Sequence, residues 1–204
     1  MLHATKSSAS LRVRTGPLST LRRNAAMLSA LAALSVFGGA LLTGCGGGNG
    51  SSTPGNNQGS GTGAFTATFS NAAGTNANTA GFTATRVAAL TNSGAFTLLN
   101  VTGFNISGVN SRTFVVSLAE SGPIQVGKTY TFVSPSASTL TYTESGAGTA
   151  YSWTATGGTA IVDSITGKNY KIRIVNATIA AGADNTSGAT GSFTVNGTVD
   201  ATVP

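Results

Sequence analysis

From residue 64 onward, apolar and polar side chains alternate in short runs, the period of half-buried β-strands. Phe65, Ala67 and Phe69 fall on one face with Thr66 and Thr68 on the other. Leu140 and Tyr142 stand opposite Thr139, Thr141 and Thr143, and Tyr170, Ile172 and Ile174 alternate with Lys171 and Arg173. Runs over 95–104, 112–118, 129–133, 160–165, 189–195 and 197–203 continue the series, as does the pair Tyr151/Trp153. Turn signals separate them at Gly74, Asn92-Ser93-Gly94, Ser107-Gly108, Gly122-Pro123, 146–148, Gly157-Gly158, Thr166-Gly167 and Ser187-Gly188. Only 86–90 and 175–183 have a spacing that suits a short helical turn. About nine to eleven strands over residues 64–204 predict one all-β domain, an antiparallel sandwich or barrel-like shell. Eight phenylalanines and four tyrosines in this stretch supply the apolar area for a single core.

Ahead of the alternating part the pattern changes twice. Residues 1–24 are basic and free of acids; residues 25–42 form an unbroken apolar and small-residue run ending in Leu42-Thr43-Gly44-Cys45; residues 46–63 read GGGNGSSTPGNNQGSGTG. The four residues at the junction resemble the lipobox of bacterial lipoproteins: an aliphatic residue, a small residue, Gly or Ala, then Cys. The resemblance implies a helical signal peptide over 1–44 and recognition of Leu42, Thr43 and Gly44 by a signal peptidase that cuts before Cys45. It also implies a diacylglyceryl group on the Cys45 sulfur and fatty acyl chains, palmitate among them, as the membrane anchor. Two or more chains give stable attachment. Export through the general secretory route is expected, because the residues after Arg22-Arg23 do not continue a twin-arginine motif. Without cleavage, the 18-residue apolar run is just long enough to be a transmembrane anchor across about 30 Å of hydrocarbon. Residues 45–63, uncharged and without a large apolar side chain, read as the lipidated cysteine and a tether with a reach of roughly 23 Å. Gly46 after the cysteine directs the expectation to the outer membrane of the cell envelope, on its periplasmic face or at the cell surface.

Charge alters the picture only until it is divided at Cys45. The formal +6 and pI near 10 suggest a nucleic-acid partner. However, five of the eleven basic residues precede Cys45 and all five acids follow it, leaving six cations against five anions, a net of +1. Binding to a phosphate backbone needs clustered cations, so no nucleic-acid partner is expected. The one histidine, His3, and the one cysteine both drop out of free chemistry on processing. The mature chain is then without Ser-His-Asp or Cys-His catalysis, the usual zinc sites and histidine pH switching. No enzyme activity, cofactor or metal is expected.

What candidate chemistry remains is thin. Glu120, Glu144, Asp163, Asp184 and Asp200 could pair as hydrolytic acids, but each sits beside a turn or strand end and reads as solvated surface charge. The 184–188 stretch is oxygen-rich yet lacks calcium-loop spacing. Trp153, Tyr151 and Tyr142 are the candidate ligand-binding residues, as aromatics able to stack on sugar rings; residues at alternating strand positions more often face the core. Lys171 and Arg173 read as a solvated strand face that blunts a sheet edge. The stretch over 64–204 resembles, in style, small Gly/Thr/Ser-rich β-sandwich lipoproteins of environmental bacteria. Together these readings predict a lipid-anchored envelope protein with a non-catalytic binding or structural role, partnered by the membrane and by a polysaccharide or another envelope protein. A carbohydrate-binding or adhesive module is the alternative, a carboxylate hydrolase a distant one. An integral eight-stranded outer-membrane barrel is disfavoured by the polar threonine faces.

Overall fold

The computed structural model describes residues 63–94, 96–182 and 185–204, and every regular element among them is a β-strand. The strands are β1 (Gly63–Ala73), β2 (Phe82–Thr83), β3 (Arg86–Ser93), β4 (Thr97–Ser107), β5 (Asn110–Glu120), β6 (Thr129–Thr131), β7 (Thr139–Gly146), β8 (Thr149–Ala155), β9 (Thr159–Thr166), β10 (Asn169–Ala180) and β11 (Ser192–Thr202). All pairings are antiparallel and build one sheet in the order β2-β1-β11-β10-β8-β7-β5-β4-β3, with β9 on β10 and β6 on β9. From β3 onward the long strands meander, β4 beside β3, β5 beside β4, β7 beside β5, β8 beside β7, β10 beside β8 and β9, and β11 beside β10, while β6 pairs forward with β9.

The sheet curls. Its β1/β2 edge returns toward β3 and β4, where the Ala84 N–H donates to Phe65 O (2.8 Å) and the Thr85 N–H to Phe104 O (2.7 Å). Gly103 on β4 makes the approach possible, because a Cβ there would lie 2.7 Å from the Phe65 ring. Most inward positions of the long strands are apolar: Phe65, Leu99, Val101, Phe114, Leu118, Leu140, Tyr142, Trp153, Val162, Ile172, Phe193 and Val195 are buried. Outward positions carry Thr66, Thr141, Thr154, Arg173, Asn196 and Thr198. The expectation of an all-β, barrel-like antiparallel domain holds in this form.

Three local expectations are corrected. Residues 86–90, read as a helical turn, are the start of β3: Val87 and Ala89 point inward, and pairing with β4 overrides the helix preference of Arg-Val-Ala-Ala-Leu. Residues 175–183, read the same way, mostly continue β10. A bulge between Ile174 and Ala177, with Asn176 at φ 47°, moves the inward set from Ile172 and Ile174 to Ala177 and Ile179. The step of three residues from Ile174 to Ala177 imitates helical spacing. Asn196-Gly197, where two strands are expected to part, lies within the single strand β11. A side chain at Gly197 would meet Thr66 O at 2.6 Å, so glycine there admits a neighbouring backbone rather than a turn. Strand β1 begins one residue earlier than the expected domain start, with Gly63 opposite Ala201.

The bulge in β10 has a counterpart across the sheet. Strands β8 and β9 run end to end along one side of β10, pairing through Ala155–Ile179 and Thr159–Val175. Gly157 and Gly158 join them: the Thr156 N–H donates to Thr178 O and the Thr178 N–H to Gly157 O, while Gly158 O accepts from the Phe132 N–H. Strands β6 and β7 follow each other in the same way along β9 and β8.

The shell has two ends. At one, here called proximal, lie the start of β1 at Gly63, the end of β11, the β3–β4 and β9–β10 turns and the β5–β6 loop. At the other, distal, lie the β1–β2 loop, the β4–β5 and β7–β8 turns and the connection from β10 to β11.

Candidate functional site

Inward-facing side chains near the proximal end of β5 and the distal ends of β5 and β7 include the only ionisable groups on the apolar face of those strands. At the distal end, Arg112 stands opposite Glu144 in register, each on the same face as the core residues of its own strand. The guanidinium is held mainly by the β1–β2 loop: Nη2 donates to Asn78 O (2.9 Å) and Ala80 O (2.7 Å) and Nη1 to Gly81 O (3.1 Å), while Nε donates to the Tyr142 hydroxyl (2.7 Å). It also sits 5.4–5.7 Å from the ring centres of Phe69, Phe82 and Tyr142, within the range of cation–π attraction. The Tyr142 hydroxyl donates in turn to Glu144 Oε1 (2.6 Å), which also accepts from the Asn78 N–H (2.6 Å). Burial, and then the hydrogen bond to Glu144, pushes the Tyr142 phenol far above its ordinary range, against the opposing pull of Arg112. The phenol is therefore a fixed proton donor, and the cluster as a whole holds a loop.

Beneath it the aromatic side chains run in a chain of contacts. Phe65, Phe82, Phe114, Tyr142, Trp153 and Tyr151 follow one another at centroid distances of 4.6–6.1 Å, with Phe69 and Phe193 packed between the walls. Trp153 is fully buried, with Nε1 donating to Thr190 O (3.0 Å). Tyr142 is fully buried as well, and Tyr151 is half-buried. The structure does bring the three aromatic candidates together, but on the inside. This corrects the sugar-stacking platform: two of its three rings have no face open to a ligand, because β7 and β8 turn their even- and odd-numbered positions, respectively, toward the core.

No protein-family model, curated protein or solved structure matches the chain.

Of the carboxylates read as solvated surface charge, Asp163 and Asp200 keep exposed side chains, whereas Glu144 is half-buried and Glu120 is buried. Glu120, the last inward residue of β5, is buried, with Ser121 N–H on Oε1 (3.1 Å) and Lys128 ion-paired to Oε2. Lys128 also lies 5.8 Å from the Tyr130 ring centre. Its hydrogen bond holds the Glu120 carboxyl below the usual range, burial opposing. Asp163 accepts two hydrogen bonds from Arg173 (2.8 and 3.2 Å), and Asp200 accepts one from Asn169 (2.6 Å) and faces Lys171 at 3.8 Å. Because β10 is paired with β9 and β11 on its two sides, Lys171 and Arg173 occupy an interior strand and blunt no edge. Asp184 lies outside the described residues, as do Cys45, Leu42, Thr43 and Gly44; Asn185 folds the adjoining turn by accepting from the Ser187 N–H (2.9 Å) and donating to Ala189 O (2.6 Å). Among the described residues no three His, Cys, Asp or Glu side chains converge as metal ligands. Two shallow, open grooves of about 270 and 410 Å³ share Thr66 and Thr198 on the outer wall, between β1, β10 and β11.

Arg112 is the residue that the candidate chemistry misses, and Glu144, expected as solvated surface charge, is instead half-buried beside it. Strand parity would have found them, since Arg112 shares its face with Phe114, Val116 and Leu118, and Glu144 with Leu140 and Tyr142. Two expected results follow. Arg112→Ala orphans three loop carbonyls and the ring contacts, and is expected to lower unfolding stability by about 2–3 kcal/mol in urea titration. Arg112→Lys restores little of it, because one ammonium cannot span the fork. An alanine variant within about 0.5 kcal/mol of wild type would show the loop to be held by other means. For Glu120, the folded pKa is depressed, so its contribution is present above the unfolded value, about pH 4.3, and is lost as pH falls through the folded one. Melting temperature is expected to drop as pH goes below this value, and the drop is expected to be shallower in Glu120→Gln; parallel curves for the two proteins would refute the assignment.

Proposed function

We propose that this protein is a lipoprotein of the bacterial cell envelope, held by acyl chains on Cys45, with a non-catalytic binding or structural domain over 63–204. The observation that carries the reading is Leu42-Thr43-Gly44-Cys45 at the junction of an apolar run and a glycine-rich stretch. The wall chemistry of the domain supports it. Apolar side chains face inward and threonine, asparagine and charged side chains face outward, the reverse of a barrel whose outer surface meets lipid. A domain so built belongs in water, beside a membrane rather than within one, and needs an anchor to stay there. The non-catalytic part is supported by the carboxylates: Glu120, Asp163 and Asp200 each face their own cation, and Glu144 Oε1 accepts from the Tyr142 hydroxyl and the Asn78 N–H.

The test is Cys45→Ser. Wild-type protein is expected to enter the detergent phase on Triton X-114 partitioning, with an intact mass that includes acyl chains. The variant is expected in the aqueous phase, or as the uncut precursor. A variant with the partitioning and mass change of wild type would overturn the reading.

A further inference from the structure

We propose that the proximal end of the shell is a membrane-docking surface, which lowers Phe96 and Val126 into the headgroup layer of the bilayer that holds Cys45. The inference rests on the lipid-anchor reading and adds which end of the domain meets the lipid. Six large apolar side chains are exposed among the described residues: Leu90, Phe96, Ile106, Val109, Val126 and Val133. Two of them, Phe96 and Val126, lie at the proximal end. Phe96 is 61% exposed at the β3–β4 turn, directly before Thr97, which pairs with Glu120 at the end of β5. Val126 is 57% exposed in the loop that follows Glu120. That loop is tied to β9 by the Gly127 N–H donating to Val162 O (2.8 Å).

The same end is where the chain enters the domain. Gly63 pairs with Ala201, and Val203 N–H donates to Lys168 O at the β9–β10 turn (2.9 Å). Cys45 lies eighteen residues before Gly63, a separation that gives a flexible glycine-rich chain a reach of roughly 23 Å. A short link fastened at the proximal end keeps that end at high effective concentration beside the headgroups. Isolated aromatic and aliphatic tips on a polar domain suit partial burial in such an interface. Ile106 and Val109, on the β4–β5 turn at the distal end, are 59% and 83% exposed but lie at the end opposite Gly63. They provide the internal control.

The experiment uses the full-length acylated protein in vesicles of phosphatidylethanolamine and phosphatidylglycerol carrying nitroxide-labelled acyl chains. Phe96→Cys, Val126→Cys and Val109→Cys are each labelled with a small environment-sensitive fluorophore, Cys45 being capped by its lipid, and melting curves establish that each variant is folded. Labels at 96 and 126 are expected to be quenched several-fold more strongly than the label at 109, with blue-shifted emission. Equal quenching at the three sites, stronger quenching at 109, or none on an acylated protein overturns the docking inference and leaves the anchor reading intact. An intact mass without acyl chains overturns the anchor reading, and the docking inference falls with it.

Discussion

Replacing Gly158 with alanine is expected to cost more than about 3 kcal/mol, enough to leave a marginal domain unfolded. The reason lies in the backbone. Gly158 has φ 90° and stands where β8 gives way to β9 against the bulge of β10; a Cβ would lie 2.4 Å from Ala177 Cα and 2.5 Å from Asn176 O. Neither contact is the flexible tip of a side chain, so relief requires moving β9, β10 or both. The neighbouring position supplies the comparison. A Cβ at Gly157 would make only ordinary contacts with Thr178, at 3.9–4.0 Å, and its φ is not in the left-handed region. Gly157→Ala is expected to change stability by about 1 kcal/mol or less. Urea titration followed by circular dichroism reads both. Equal stability of the two variants would mean that β8 and β9 are not parted at Gly158 as described.

Truncation of Trp153 is the second large effect. The ring is fully buried between Tyr142, Phe193 and Tyr151, at centroid distances of 5.7, 6.0 and 6.1 Å, and its N–H serves Thr190 O. Trp153→Ala removes the middle link of the aromatic chain, leaves a cavity and strips a carbonyl of its donor. An expected loss of about 4 kcal/mol follows. In the wild-type protein the same burial predicts blue-shifted tryptophan emission and weak quenching by acrylamide; because Trp153 is the only tryptophan, the signal has one source. Red-shifted, readily quenched emission, or an alanine variant as stable as wild type, would put the ring at the surface and reopen the sugar-stacking role.

Much of this architecture is legible from parity alone. Alternation at Phe65/Ala67/Phe69 and at Tyr170/Ile172/Ile174 identifies both the strands and their inner faces, because on a half-buried strand the period of two is the burial pattern itself. The misreadings cluster where that period is interrupted. The bulge at Asn176 advances the inward face by one residue and gives β10 a helix-like step, while Gly197 puts an empty inward position in the middle of β11 and mimics a turn. Neither interruption is visible without the neighbouring strand, since it is the partner's backbone that selects it. The loop-holding cluster was hidden for a different reason. Arg112, Tyr142 and Glu144 are brought to Asn78 and Ala80 only by the curl of the sheet, and no sequence spacing records that closure.

The pairing of the first strand with the last has a consequence for the order of assembly. β1 is bonded along its length by β11 and, on its other side, by two residues of β2 at Thr66 and Ala67 and by the Ala84 N–H at Phe65 O. Some 132 residues separate Thr66 from its partner Thr198. A chain delivered amino end first, from a ribosome or through a translocation pore, must carry β1 without its partner until β11 arrives. Closing so long a loop is entropically costly and slow, and nothing shorter in the sequence can substitute for it. The strands from β3 to β10 can collect as hairpins on the way, but the shell shuts only once β11 has followed them. The fold therefore completes itself late, on whichever side of a barrier the whole chain has reached.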